Sequence, residues 1–260
     1  MKTLAVIGGS GMLGSDLVQY FSTKFLVTPI NKDNYQAQIG KFFDIVINAN
    51  GNSKRFWANQ NPVEDFLASS VSVIKSIFDF PCDVYIYISS PDVYENHTGP
   101  KYTNESVQID PKKLEAYGFH KHLAELIVKK YKEKFLILRS SMLLGKKLKK
   151  GPIYDVIKDN PLYITLNSKL QLITTFAIAE VIEILLNKSV KNEVFNVGGE
   201  GAFSFLNARK IFKKKIQVMP DAKRQLYEMD TKKLRRLYPS LKTSEEYLCE
   251  YLLSRSNGSI

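Results

Sequence analysis

Apolar residues in this chain gather in short runs separated by amphipathic stretches, and that alternation predicts most of the elements. The runs "TLAVIGG" (3–9), "KFLVTPI" (24–30), "FDIVINAN" (43–50), "CDVYIYISS" (82–90), "FLILRSS" (135–141) and "EVFNVGG" (193–199) are rich in β-branched and aromatic residues, so each reads as a strand. Between them, residues 12–23, 62–80, 115–134 and 174–188 carry apolar positions at helical spacing. Strand and helix in turn predict an α/β fold with a parallel sheet covered on both faces. The strands are continuously apolar rather than alternating, which fits burial on both sides. Two segments break the rhythm. Residues 146–171 are basic and carry "GP" and "NP" turn signals, and residues 200–260 mix short helical pieces with further basic residues. The expected organisation is a core over 1–145, completed by about 172–199. The segments 146–171 and 200–260 then form a small region beyond the carboxyl ends of the last strands, where open α/β sheets bind ligands.

Composition narrows the class further. The 260 residues are 44% apolar, enough for one large folded domain and too apolar for a disordered chain. The longest apolar runs fall well short of the ~20 residues that a bilayer span needs. The opening "MKTLAVIGG" leads from a strand into glycines, as a first strand does and a signal peptide does not. Cys82 and Cys249 are far apart and outside any C-x-x-C pattern, which suggests reduced cysteines in the cytoplasm rather than a disulfide framework or zinc site. The formal charge of +11 raises the question of nucleic acid. Its clusters, "KKLKK" (146–150) and "KKK" (213–215), lack interleaved aromatics and any nucleic-acid module. Solubility is the first reading of this charge, a grip on an anionic substrate the second, and nucleic acid the last.

The glycines after the first strand point to a ligand. "VIGGSGMLGSDL" sets Gly9, Gly11 and Gly14 in G-x-G-x-x-G register and Gly8, Gly11 and Gly14 in G-x-x-G-x-x-G register, between a predicted strand and a predicted helix. In that context the pattern predicts a dinucleotide site. Glycines let the backbone approach a pyrophosphate, and the helix N-terminus offers it free N–H groups. NAD sites usually place an acid at the end of the second strand; here Asn31 and Lys32 come first, and Asp33 falls past the strand. The cofactor is therefore NADP or NAD, with the lean toward NADP.

Ser89 and Ser90 end the fourth predicted strand, and Tyr117 and Lys121 stand one helical turn apart on a later helix. Each is ordinary alone. Together with the glycine loop, the ordered segments "GGSGMLG", "DIVINANGNS", "YISSPDVYE", "YGFHKHLAE", "LRSSMLLG" and "EVFNVGG" resemble the extended short-chain dehydrogenase/reductase superfamily, in its NAD-dependent epimerase/dehydratase branch that acts on nucleotide sugars. The resemblance covers about residues 1–200. It implies a Rossmann-type doubly wound sheet with a small C-terminal substrate-binding region. It also implies that Tyr117 is the catalytic acid/base, that Lys121 lowers the Tyr117 pKa while binding the nicotinamide ribose, and that Ser90 hydrogen-bonds the reacting oxygen. Gly8, Ser10, Gly11, Met12, Leu13 and Gly14 would hold the dinucleotide's phosphates. Asn31 and Lys32 would face its adenosine ribose, Asn48, Ala49 and Asn50 would line it after the third strand, and Ser140 and Met142 would flank the nicotinamide.

The chain departs from this pattern in places. The family's asparagine in the central helix, near Ser69 or Ser70, is absent, and Glu95 stands where a glycine usually follows Val-Tyr. Asp92 occupies the place of the dehydratases' glutamate base, one methylene shorter, and Pro91 removes its acidic companion. A 4-keto-sugar reductase is therefore the first expectation, an epimerase or dehydratase the alternative, and a non-catalytic dinucleotide sensor or assembly subunit a third. Asp92, Lys150 and Arg209 are the candidate contacts to a nucleotide-sugar substrate. The resemblance also implies a homodimer packed through the 62–80 and 115–134 helices.

Overall fold

The computed structural model describes residues 1–256. Six strands, β1 (Thr3–Ile7), β2 (Leu26–Ile30), β3 (Phe43–Asn48), β4 (Cys82–Ser89), β5 (Phe135–Ser140) and β6 (Glu193–Val197), form one parallel sheet in the order β6-β5-β4-β3-β1-β2. From β1 the chain steps outward to β2, returns to the other side of β1 as β3, and then proceeds away from it. The strand order therefore reverses between β1 and β3, the crevice where such sheets take their ligands.

Alternation along each strand feeds two cores. In β4, Ile86 and Ile88 pack on one face with α1 (Met12–Phe21) and α4 (Thr175–Asn187), while Tyr85 and Tyr87 pack on the other with residues 62–79 and α3 (Ala116–Tyr131). Residues 62–79, here α2, begin with Pro62 in the first turn and run as Pro62–Phe66, then a π-helical turn Leu67–Val71, then Ser72–Asp79. An uninterrupted helix was expected over 62–80. The widening has a cause in the side chains. Ser72 Oγ donates to the Ala68 carbonyl at 2.6 Å and so competes with the regular helical ladder within α2, while Ser70 Oγ donates to the carbonyl of His120 at 3.0 Å and binds α2 to α3.

The two arrhythmic segments build a third core from Leu148, Leu162, Leu170, Phe203, Phe205, Leu248 and Tyr251 among others. Its short strands pair Lys169–Leu170 with both Phe203–Ser204 and Leu226–Tyr227. Part of the C-terminal segment also packs on the main sheet. Leu234, Tyr238, Leu241 and Tyr247 join the α1/α4 face of the main sheet. Among the described residues, no helix is long and apolar enough to cross a membrane.

Candidate active site at the carboxyl edge of the sheet

The glycine loop closes the end of β1. Gly8 has φ +79°, a conformation that favours glycine, and its N–H donates to the Ile30 carbonyl at 2.9 Å. A Cβ on Gly14 would lie 2.0 Å from the Gly8 carbonyl oxygen, so only glycine lets α1 start this close beneath the turn. The first turn of α1 has no side-chain cap and no acidic residue, which leaves its N–H groups and positive dipole end unclaimed. Ser10 and Gly11 are exposed at the mouth, Met12 is half-buried, and Leu13 and Gly14 are buried. This cradle fits a dinucleotide's phosphates. Asn31, at the end of β2, accepts the Ser10 N–H through Oδ1 at 2.8 Å, and Lys32 beside it is exposed.

The loop after β3 forms the opposite bank. The expectation that Asn48 lines the ligand is corrected for its side chain. That amide is 1% exposed and turns into the core, donating to Tyr85 Oη at 2.8 Å and Ser76 Oγ at 3.2 Å. Its Oδ1 accepts the N–H of Asn50, so Asn48 shapes the bank from behind. Ala49 is half-buried and Asn50 exposed.

Ser89 and Ser90 separate by the two-residue period of a strand. Ser89 Oγ donates to Glu125 at 2.6 Å, and Glu125 receives Arg139 in a buried bidentate pair (Nε–Oε1 2.9 Å, Nη2–Oε2 2.7 Å) that ties α3 to β5. Ser90 turns the other way, donating through Oγ to Asp92 Oδ2 at 2.8 Å, and counts among the groups that lower the Tyr117 pKa. Tyr117 is 7% exposed. Burial, then the charge of Asp92, pushes its phenol well above the ordinary range, against the smaller opposing effect of Ser90. Lys121 is also buried. Its Nζ lies 3.4 Å from the Ile88 carbonyl oxygen and over the Tyr87 ring, 5.2 Å from the centroid. Burial pulls the ammonium pKa down to about 8, with Asp65, Glu125 and Asp92 opposing. The expected lowering of the Tyr117 pKa by Lys121 is thus not what the structure shows. Desolvation dominates the phenol, and the ammonium is held on a carbonyl and a ring face.

Several residues at this edge escaped the sequence reading. Arg55 Nη1 and Tyr227 Oη donate to the candidate Asp92 at 3.2 and 3.0 Å, beside the Ser90 Oγ bond at 2.8 Å. His97 stacks on Tyr227 with centroids 3.8 Å apart. His120 Nδ1 meets Asp65 Oδ2 at 2.8 Å behind Lys121, in the stretch where the family asparagine is missing. Gly118 is the least obvious. A Cβ there would sit 2.1 Å from the Asp92 carbonyl oxygen, so glycine is what lets α3 bring Tyr117 against the Ser90–Asp92 turn. The only prior signal for it was adjacency to Tyr117.

The remaining candidates divide. Ser140 is buried at the end of β5, and Met142 is half-buried just beyond it. Lys150 was expected at the substrate; its Nζ instead donates to the carbonyl and Oγ of Ser53, in the loop that follows β3, at 2.8 and 2.9 Å. Arg209 is exposed on the short helix Ala208–Phe212, and among the described residues it makes no hydrogen bond or ion pair with the site.

A glycine cradle at the strand-order reversal, with serine, tyrosine and lysine at the same sheet edge, defines the class of dinucleotide-dependent enzymes with a doubly wound fold. The family profile described as the NAD dependent epimerase/dehydratase family matches residues 4–198, and the chain belongs to that family. Its members and structural neighbours are NAD(P)-dependent enzymes. No curated protein matches the chain by sequence. Among solved structures, a UDP-galactose 4-epimerase superposes with a TM-score of 0.76 at 19% identity, covering 98% of this chain and 99% of that one. A dTDP-4-dehydrorhamnose reductase from Bacillus anthracis in complex with NADP gives 0.76 at 16% identity, covering 97% and 98%. A UDP-glucuronic acid 4-epimerase from Bacillus cereus, in complex with a fluorinated UDP-glucuronic acid and NAD, gives 0.72 at 17%, covering 96% and 98%. At these identities the likeness speaks for the fold.

Proposed function

We propose that this chain is an NAD(P)-dependent reductase of a nucleotide-linked 4-keto sugar, with Ser90, Tyr117 and Lys121 at its reacting centre. The observation that carries the reading is the state of Tyr117 and Asp92. Burial keeps the Tyr117 phenol protonated beside Ser90 at the carboxyl end of β4, ready to give a proton, while Asp92 is already engaged by Arg55, Tyr227 and Ser90. A dehydratase needs a carboxylate free to reach a proton on carbon, and both Asp92 oxygens are occupied, Oδ1 by Arg55 and Tyr227 and Oδ2 by Ser90. This argues against dehydration by Asp92.

A bound reduced dinucleotide supplies the hydride to the carbonyl carbon. Tyr117 gives its proton to the carbonyl oxygen as negative charge develops there, and Ser90, released from Asp92, hydrogen-bonds the same oxygen. The Lys121 ammonium then offsets the phenolate left behind. The neighbours named for dTDP- and UDP-linked sugars support a nucleoside-diphosphate sugar as substrate. Asn31 and exposed Lys32, the first two residues after β2 and ahead of Asp33, support NADP over NAD.

The test is redox stoichiometry. With a dTDP- or UDP-linked 4-keto-6-deoxy sugar and NADPH, the reductase oxidises one cofactor per sugar consumed. Sugar interconversion with the cofactor pool unchanged indicates an epimerase and sinks the reading. In the same assay Lys32→Glu is expected to shift preference from NADPH toward NADH; an unchanged preference removes Lys32 from the 2′-phosphate site.

A further inference from the structure

The basic run 146–150 is the sequence feature that the proposed chemistry leaves unused, and its placement is specific. It leaves the small strand Met142–Leu144 and crosses the mouth of the dinucleotide groove. Its start is anchored. Asp16, buried in α1, accepts the Lys146 backbone N–H at 3.4 Å and Thr175 Oγ1 at 2.6 Å, and Gly145 packs so closely on Thr175 that a Cβ would sit 2.7 Å from Cγ2. Its middle is pinned by Leu148, which is 6% exposed in the third core. That leaves Lys147 and Lys150 on opposite banks. Lys147 Nζ donates to the Ser10 carbonyl in the glycine loop at 3.1 Å, and Lys150 Nζ grips Ser53 after β3.

Neither ammonium meets a carboxylate; among the described residues no ion pair involves Lys147 or Lys150. Partial desolvation, and the nearby charge of Lys54, lower the Lys150 pKa, as expected of positive charges gathered without an anion. Two cations resting on neutral carbonyls at either bank of a phosphate cradle have better partners in a diphosphate, because hydrogen bonds between charged groups are the stronger kind.

We propose that residues 146–150 form a cationic strap across the dinucleotide groove, and that Lys147 and Lys150 turn from Ser10 and Ser53 onto the phosphates of the bound cofactor and slow its release. The inference rests on the dinucleotide site of the proposed function. It assigns these lysines to the cofactor rather than to the sugar nucleotide.

The test follows NADPH leaving the full-length protein by its fluorescence, chased with excess NADP, in the wild type and in Lys147→Ala, Lys150→Ala and the double variant. Losing two charge-assisted contacts is expected to raise the dissociation rate of the double variant about tenfold or more. The variant's affinity should also depend less on salt than the wild type's. Lys149→Ala, one position away and without these contacts, should match the wild type, and UDP binding should be unchanged in all variants. Unaltered release and salt dependence in the double variant overturn the strap. So does a loss of UDP binding with NADPH release unchanged, which would move the lysines to the substrate. If the wild type binds neither NADPH nor NADH, the dinucleotide reading itself fails, an outcome distinct from both.

Discussion

Burial acts on Tyr117 and Lys121 in opposite senses, driving the phenol toward its neutral form and the ammonium toward its own neutral form near pH 8. Only Lys121 therefore titrates close to the working range. If its charge is needed to offset the phenolate, kcat/KM for reduction should fall as pH rises through about 8, where Tyr117 still holds its proton. Stability should move the other way. The folded lysine has a lowered pKa, so below about 8 both states carry the proton and the cost of the buried charge is present in full. Between about 8 and the ordinary 10.5 the unfolded chain binds more protons than the folded one, and stability rises with pH. Urea unfolding of the wild type against Lys121→Met should show the wild type gaining on the variant across that window; parallel pH profiles would contradict the burial argument. At this scale Tyr117, Lys121 and Ser90 were legible because the motif is local. Arg55 and Tyr227 were not, since they reach Asp92 from 37 and 135 residues away, and no periodicity records such a meeting.

α3 is the element that makes the site, and it does so through a residue without a side chain. Glycine inside a helix ordinarily costs about 1 kcal/mol relative to alanine, so Gly→Ala in a helix tends to stabilise. Gly118 should reverse that sign. The added Cβ meets the Asp92 carbonyl at 2.1 Å, a backbone atom that cannot rotate away. Gly118→Ala is expected to destabilise the fold by about 1–3 kcal/mol, the usual cost of overpacking, and to cut kcat by displacing Tyr117 from Ser90. Chemical denaturation and steady-state kinetics check both, and a variant as stable and active as the wild type would show that α3 does not depend on this contact. The helices themselves were plain from their spacing. The π-turn in α2 was not, because Ser70 and Ser72 read as ordinary helix positions until their carbonyl partners, His120 on α3 and Ala68 on α2, are known.

For the whole molecule, the parallel sheet follows from alternating strands and helices, while its strand order came only with the structure and the third core was only a pair of arrhythmic segments in the sequence. Part of the C-terminal segment turned out to complete the main sheet's core, which the basic and mixed pattern of 200–260 concealed. The outer face of α2 and α3 leaves Val63, Leu67, Phe78, Leu126 and Tyr131 exposed, with Leu67 at 55% and Phe78 at 65%. An apolar face of that kind fits the proposed homodimer through these two helices. Light scattering should give twice the chain mass, and Leu67→Glu with Leu126→Glu should halve it; a monomeric wild type removes the dimer without touching the site.

The central claim is that Tyr117 is the proton donor at a dinucleotide-dependent reacting centre, and Tyr117→Phe tests it most directly. The variant keeps the ring and the packing and removes one hydroxyl. Turnover of a nucleotide-linked 4-keto sugar should fall by about two to four orders of magnitude, the range that general acid catalysis supplies, while NADPH titration gives an unchanged affinity. Wild-type turnover in the phenylalanine variant would contradict the account.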